Sequence, residues 1–220
     1  MTTDTRQLIL DTALRLFEER GYAGTTMRAI ATEAGVSPSN AYYWFASKDQ
    51  LVQEFYRRIQ VAHRERSADM LGAGGSLSAR LQAAEDAFFE VIAPYHGFGA
   101  AFVGTAIVPG ATVSPFSDES ADARELSMAI YHDVVTGASP AVPAKLARVL
   151  PDLLWLAHLS LTLFWVIDTS PGQERTRQLV ERSVAMLAGA IRVSRLPGAS
   201  SLISQVAGVL DVVVPERRQR

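Results

Sequence analysis

The chain has no cysteine, so a disulfide framework, a cysteine zinc site and thiol catalysis are excluded, and packing alone must hold the fold. Lysine is scarce as well. Lys48 and Lys145 are the two lysines among 21 cations, an arginine bias from which no function follows. A basic surplus is also missing: the net charge is −2, and within residues 1–50 Arg6, Arg15, Arg20, Arg28 and Lys48 face six carboxylates, so no bulk field announces nucleic acid. There is no Gly-rich phosphate loop, nucleophile elbow or metal-ligand spacing, so neither an enzyme nor a bound cofactor is expected. Met1–Arg6 is acidic and polar instead of basic and then apolar, which is unlike a signal peptide and predicts a cytoplasmic protein. Val149–Ile167 offers 19 largely apolar residues, close to the roughly 20 that cross a bilayer. Pro151, Asp152 and His158 interrupt it, so a helix buried in protein or at a dimer seam is expected, with no membrane partner.

What is present is helical spacing. With 220 residues, 48% of them hydrophobic, the chain can build a small head and a larger body. Leu8, Ile9, Thr12, Ala13, Leu16 and Phe17 form one stripe of a helix over about Thr5–Arg20, which Gly21 stops. Thr25 or Thr26 can cap a short second helix whose apolar face is Met27, Ile30, Ala31 and Ala34. Gly35-Val36-Ser37 then reverses the chain, Ser37 caps, and Pro38 sits at the first position of a third helix running to about Phe45. Ser47-Lys48-Asp49-Gln50 fits a capping box that opens a fourth.

Two short helices joined by a glycine-containing turn describe a helix-turn-helix, whose second helix enters the DNA major groove. Its outward residues are unusual. Ser39, Asn40, Tyr42, Tyr43 and Trp44 replace the Glu, Lys and Arg of an ordinary surface helix. Asn can pair bidentately with an adenine edge, and Tyr hydroxyls can reach phosphates. For Tyr42 and Trp44 a second reading stands beside this one, in which they pack the small core of the head.

Thr25–Ala31, Ala34-Gly35-Val36-Ser37 and Ala41-Tyr42-Tyr43-Trp44-Phe45-Ala46-Ser47-Lys48 together resemble the N-terminal signature of the TetR family, over roughly residues 5–55. The resemblance implies an all-α fold: a three-helix helix-turn-helix domain, 1–50, followed by a larger helical ligand-binding and dimerisation domain, 51–220. It implies a regulator, most simply a repressor, that binds double-stranded operator DNA and is released by a small apolar or aromatic effector. A ligand-independent regulator or an activator with the same head is the alternative. By the same resemblance Thr26, Arg28, Ser37, Pro38, Ser39, Asn40, Tyr42, Tyr43, Trp44 and Lys48 face DNA. The family more often carries Leu or Ile where Ala41 stands and His or Tyr where Trp44 stands, so operator sequence does not carry over.

The remaining residues read as helix throughout, in segments near Leu51–Ala68, Ser76–Ile92, Asp118–Val135, Pro143–Asp168, Gly172–Val193 and Ser200–Val209, with Pro or Gly between them. Two segments are more apolar than a monomer needs. The resemblance implies a four-helix homodimer seam there, with Leu154, Leu161, Leu179, Val184, Leu187 and Ile191 expected in it. A pocket of mixed aromatic and small residues is expected in the body, drawing on Phe88, Phe102, Phe116, Tyr131, His132, Trp155 and His158. The two histidines have no HxxxH or carboxylate cluster beside them, so a metal is not expected.

Overall fold

The computed structural model describes residues 2–193 and Gln205. Apart from Gln205, the helix expected over Ser200–Val209 lies outside the described residues. The described chain is helical: α1 (Thr2–Arg20), α2 (Met27–Glu33), α3 (Pro38–Trp44), α4 (Lys48–Gly72), α5 (Leu77–Ile92), α6 (His96–Ala106), α7 (Ala121–Thr136), α8 (Ala144–Ala147), α9 (Leu150–Ile167) and α10 (Glu174–Val193). The single helix expected over Pro143–Asp168 is two, because the chain turns at Arg148–Val149 before α9 begins. The segment Tyr95–Val108, small and apolar in sequence, forms α6.

The chain divides into two compact units: residues up to 62 with 92–126, and 63–91 with the residues from 127 on. These units group the chain by packing, whereas the boundary at residue 50 that the resemblance implies follows the helix-turn-helix. Pro and Gly mark where a helix ends, whereas the core that a helix joins is decided by long-range packing. In the first unit α6 packs on α1, and Phe17, Tyr22, Phe102 and Phe98 form a chain of ring contacts at centroid distances of 5.0, 5.3 and 5.1 Å. A second partner for α1 also widens its buried arc. Leu10 and Leu14 are buried while Leu8, expected inside, is 48% exposed.

Glu54 of α4 ties this unit together electrostatically. It accepts hydrogen bonds from Arg6 of α1 at 2.7 Å and from Arg57 at 2.8 and 3.1 Å. Burial pushes its carboxyl up, but the two guanidinium groups outweigh burial and hold it at about 2.

The second unit is built round α5, α7, α9 and α10, with Leu81, Ile130, Val134, Leu150, Leu154, Trp155, Val180 and Val184 in its core. Its least expected member is Arg80, 3% exposed and bonded to backbone carbonyls in place of a carboxylate. The guanidinium donates to the carbonyls of Asp133 and Val134 in the last turn of α7, at 2.6 and 3.1 Å, and to Leu71 near the end of α4 at 2.6 Å. A cation belongs there, because the last carbonyls of a helix have no intrahelical donor and carry the negative end of its dipole. Gly137 makes room: a Cβ at that position would stand 2.2 Å from Arg80 Nη2. At the entrance to α10, Asp168 accepts from the backbone and side chain of both Ser170 and Thr176 at 2.7–2.9 Å.

Arg80→Ala takes one donor from each of three carbonyls, of which that of Asp133 keeps the Gly137 N–H, and is expected to lower stability by about 3 kcal/mol, with Gly137→Ala smaller but in the same direction. Urea unfolding of the two variants beside wild type measures both. Because the folded Glu54 carboxyl ionises near 2, below its unfolded value of about 4.3, its contribution is complete above the unfolded value and is lost as pH falls toward 2. Glu54→Gln is therefore expected to be less stable than wild type at pH 7 and to lose less stability between pH 5 and 3. Parallel acid titrations of the two proteins would show no such convergence if the clamp were idle.

Candidate functional site

The local chemistry of residues 25–50 explains how α3 is presented. Thr26 caps α2 by accepting from Ala29 N at 3.1 Å, whereas Thr25 is buried and donates to the carbonyls of Leu16 and Gly21. The exit of α2 is a Schellman turn. Gly35 takes φ +68°, its N–H reaches the Thr32 carbonyl, and the Val36 N–H reaches Ala31 at 3.0 Å. Ser37 then accepts from Asn40 N at 3.1 Å, with Pro38 at the first helical position. Beyond α3 the expected capping box is present in shifted form. Ser47 Oγ accepts from Gln50 N at 3.2 Å, while Gln50 Oε1 reaches back to Ala46 N at 2.7 Å.

α3 turns Ala41 inward with Phe45 behind it, at 0% and 2% exposure. Thr26, Arg28, Ser37, Pro38, Ser39 and Asn40 are exposed, as are Tyr42 and Tyr43, the latter at 78%. The alternative that put Tyr42 into the core of the head does not fit that exposure. Trp44 is intermediate. It packs edge-on to Tyr43 at 5.1 Å and lines an open cleft of about 210 Å³ with Arg6, Gln50, Glu54 and Arg57.

Charge in this unit is sorted by pairing. Arg15 pairs with Glu19 and Glu33, Arg6 and Arg57 with Glu54, and Arg58 with Asp11. Arg28, on the exposed side of α2, makes no ion pair among the described residues, so a net charge of −1 over the first fifty residues conceals an available cation beside α3. Lys48 is partly engaged. Its ammonium donates to the Tyr22 carbonyl at 2.6 Å and lies 4.3 Å from the Tyr22 ring centre, and burial lowers its pKa against the pull of Asp49. Asp49 in turn accepts from the Tyr22 hydroxyl and from Thr112. Neither Tyr22 nor Asp49 was expected at this site, since a link across 26 residues leaves no periodic signal.

The seven residues expected around a ligand do not come together. Phe102 belongs to the first unit, stacked on Phe98, while Phe116 is 51% exposed and His132 is exposed. Helical spacing placed His132 next to Tyr131, but adjacent positions point about 100° apart, and here one is buried and the other is not. Phe88, Tyr131, Trp155 and His158 are buried in the second unit. Tyr131 and His158 meet at a residue that sequence reading passed over. Glu85, 2% exposed, accepts from the Tyr131 hydroxyl at 2.8 Å and lies 3.0 Å from His158 Nδ1. The ring of Phe88 stands edge-on to His158 at 4.2 Å. His63, fully buried, bonds the Ala84 carbonyl at 2.8 Å, and burial, with His158 nearby, lowers its pKa to about 4.

The six residues expected in a dimer seam divide by burial. Leu154, Leu161, Val184 and Ile191 are 3–8% exposed within the chain's own core, Leu187 is half-buried against that core, and Leu179 alone of the six is exposed. Their apolar pattern is that of a core because α9 and α10 pack on each other. The residues that remain outside are Leu163 and Ile167 on α9, with Leu179 and Met186 on α10. α9 has the length and mean hydropathy (1.6) of a membrane span, and 39% of it is buried in the chain's interior.

Residues 9–55 match the family model for bacterial regulatory proteins of the tetR family, and residues 80–206 match that for the tetracyclin repressor-like C-terminal domain. The HTH-type transcriptional repressor KstR2 of Rhodococcus jostii (strain RHA1) is 29% identical over 157 residues, covering 69% of this chain and 77% of that protein. The fold resembles that of the fatty acid degradation regulator FadR from Bacillus halodurans, with a TM-score of 0.69 at 15% identity over 86% of this chain and 96% of that one. It also resembles FadR from Bacillus subtilis, solved in complex with stearoyl-CoA, with a TM-score of 0.66 at 15% identity over 81% and 96%. With its head matched by one model and more than half of its length by the other, the chain belongs to the TetR family of DNA-binding transcriptional regulators.

Proposed function

We propose that the chain is a repressor that binds a near-palindromic operator as a homodimer in the cytoplasm and is released by a small, largely apolar effector taken into its second unit. The observation that carries this reading is the exposed face of α3, an uncharged row of Ser39, Asn40, Tyr42 and Tyr43 whose hydrogen-bonding groups have no structural use in the fold. Asn40 is suited to a base edge. Arg28, Lys48 and the tyrosine hydroxyls are suited to phosphates, which orient the head without reading sequence. Two such heads are needed on two half-sites, and Leu163, Ile167, Leu179 and Met186 supply an apolar surface for the pairing. Release follows if the effector prefers the conformation with lower DNA affinity, since the coupling must be reciprocal. A repressor among the relatives and a fatty-acyl ligand in a neighbour of the same fold support that reading.

Asn40→Ala is expected to relax preference at one base pair, a loss of about 1–3 kcal/mol of discrimination, and to leave thermal stability unchanged. Lys48→Ala is expected to weaken binding to every DNA and to lower the slope of log affinity against log salt by about 0.9. It should also lower the melting temperature, because the ammonium holds the Tyr22 carbonyl. Fluorescence anisotropy on DNA selected from a random pool, at several salt concentrations, decides this. Wild-type affinity for both variants would remove α3 from the interface.

For the seam, the double substitution Ile167→Arg, Met186→Arg is expected to give a monomer in sedimentation equilibrium and to weaken DNA binding by about tenfold or more, as paired binding is lost. A dimer that survives both charges places the interface elsewhere.

A further inference from the structure

We propose that Thr112, in the connection between α6 and α7, is a positioning residue for DNA binding: through Asp49 and Tyr22 it holds the Lys48 ammonium where a phosphate meets it, and so sets the affinity for DNA of any sequence. This rests on the reading that assigns Lys48 to a phosphate and says what prepares it.

Three hydrogen bonds lead from the connection to the ammonium. The Thr112 hydroxyl donates to one oxygen of Asp49 and the Tyr22 hydroxyl to the other. Tyr22 in turn seats Lys48 twice, its carbonyl accepting from the ammonium at 2.6 Å and its ring centre standing 4.3 Å away. An ammonium has three donors, so this seat leaves two for a phosphate. A lysine already held loses less freedom on binding than one that moves through solvent. Asp49 is the weak point of the arrangement. Its charge stands beside the cation that must answer a phosphate, and its pull raises the Lys48 pKa against burial. With a hydroxyl on each oxygen, the carboxylate is engaged by Tyr22 and Thr112, and Lys48 bonds the Tyr22 carbonyl instead.

The connection is fixed at this place by bonds that do not involve the Thr112 hydroxyl. Asp49, Gln53 and Tyr56, spaced as neighbours one turn apart, form one stripe along α4. Gln53 donates to the Thr112 carbonyl at 2.8 Å, Tyr56 to the Val113 carbonyl at 3.0 Å, and Ser120 to Gln53 Oε1 at 3.1 Å. Ser117 is a second donor to the Thr112 carbonyl at 2.7 Å. The backbone of Thr112 is thus anchored with or without its hydroxyl, and the residue is itself exposed, so removing the hydroxyl cuts the link to Asp49 and leaves the fold in place.

The test uses the full chain as Thr112→Val, which keeps the shape of threonine without the hydroxyl, as Thr112→Ser, which keeps the hydroxyl, and as Lys48→Ala alone and combined with Thr112→Val. Binding to a duplex selected from a random pool and to a duplex of unrelated sequence is followed by fluorescence anisotropy. Thr112→Val is expected to weaken both by the same factor, about threefold to tenfold, the ordering of one long side chain. Thr112→Ser recovers most of that loss, and in the Lys48→Ala background Thr112→Val has no further effect. A second readout needs no DNA. The chain has two lysines, so isotope labelling of lysine at Cε gives two resonances, of which Lys48→Ala removes one. Freed from its seat and closer to Asp49, Lys48 titrates at higher pH in Thr112→Val than in wild type. The proposal is overturned if that titration does not move, if Thr112→Val keeps wild-type affinity or weakens binding equally with and without Lys48, or if it changes the preference between the two duplexes. Failure of the phosphate reading looks different: a Lys48 resonance that moves as expected, while Lys48→Ala binds both duplexes as wild type does, keeps the seat and overturns its use in DNA binding.

Discussion

A helix of seven residues does not persist in water by itself, since isolated helices shorter than about 12–15 residues are marginal even with good helix formers. The presentation of α3 therefore depends on what holds its two ends and its inner side. Ser37 satisfies the Asn40 amide, Pro38 fixes the first turn, and Ala41 with Phe45 buries the inner face. Because so little of α3 is needed for anchoring, its other positions are free to carry groups that a surface helix has no structural use for. The small Ala41 also matters, since it lets the helix sit close to the core and leaves the larger Phe45 to fill the space at its end. The remainder of the first unit, from the α1 aromatic chain to the Glu54 clamp, fixes the platform on which that short helix rests.

The head is legible in sequence because its determinants are local. A cap acts over three residues, a Schellman glycine over five, and Thr26, Gly35, Ser37 and Ser47 each do what their spacing announces, with Gln50 one residue off at Ala46. What escapes is whatever depends on residues far apart in the chain. Glu85 on α5 has the spacing of a solvated charge, and only the approach of His158, 73 residues later, and Tyr131, 46 residues later, makes it a buried acceptor. Arg80 looks like one more surface arginine in an arginine-biased chain until the ends of α4 and α7 arrive beside it. Four of the six residues expected in the seam are buried by their own chain for a related reason. Apolar spacing shows that a face is buried but not whether its own chain or a second copy buries it.

Charge illustrates the same limit from the other side. Counting residues gives a head with no attraction for DNA, yet the count weights a paired arginine and an unpaired one equally. Of the five cations among the first fifty residues, pairing engages Arg6 with Glu54 and Arg15 with Glu19 and Glu33, and among the described residues it leaves Arg20 and, on α2 beside α3, Arg28 outside any ion pair. At physiological salt fields decay over about 8 Å, so the cation next to the interface matters more than the sum over the domain.

The two sides of α9 then explain why that helix is apolar all round and still carries a histidine. Its inner side joins the core through Leu154, Trp155, Leu161 and Trp165, and its outer side exposes Leu163 and Ile167. A helix with leucine on nearly every side has few reasons to prefer one rotation, since sliding one leucine into the place of another changes little. His158 supplies the reason. Only one register sets its Nδ1 against Glu85, and a one-turn slip would bury His158 without that partner and leave Glu85 with Tyr131, a loss of several kcal/mol that apolar repacking could not recover. The same contact that specifies the packing of α9 thus places an acid and an imidazole side by side next to the ring of Phe88. The register of the helix and the hydrogen-bonding chemistry of the second unit follow from one pair of residues.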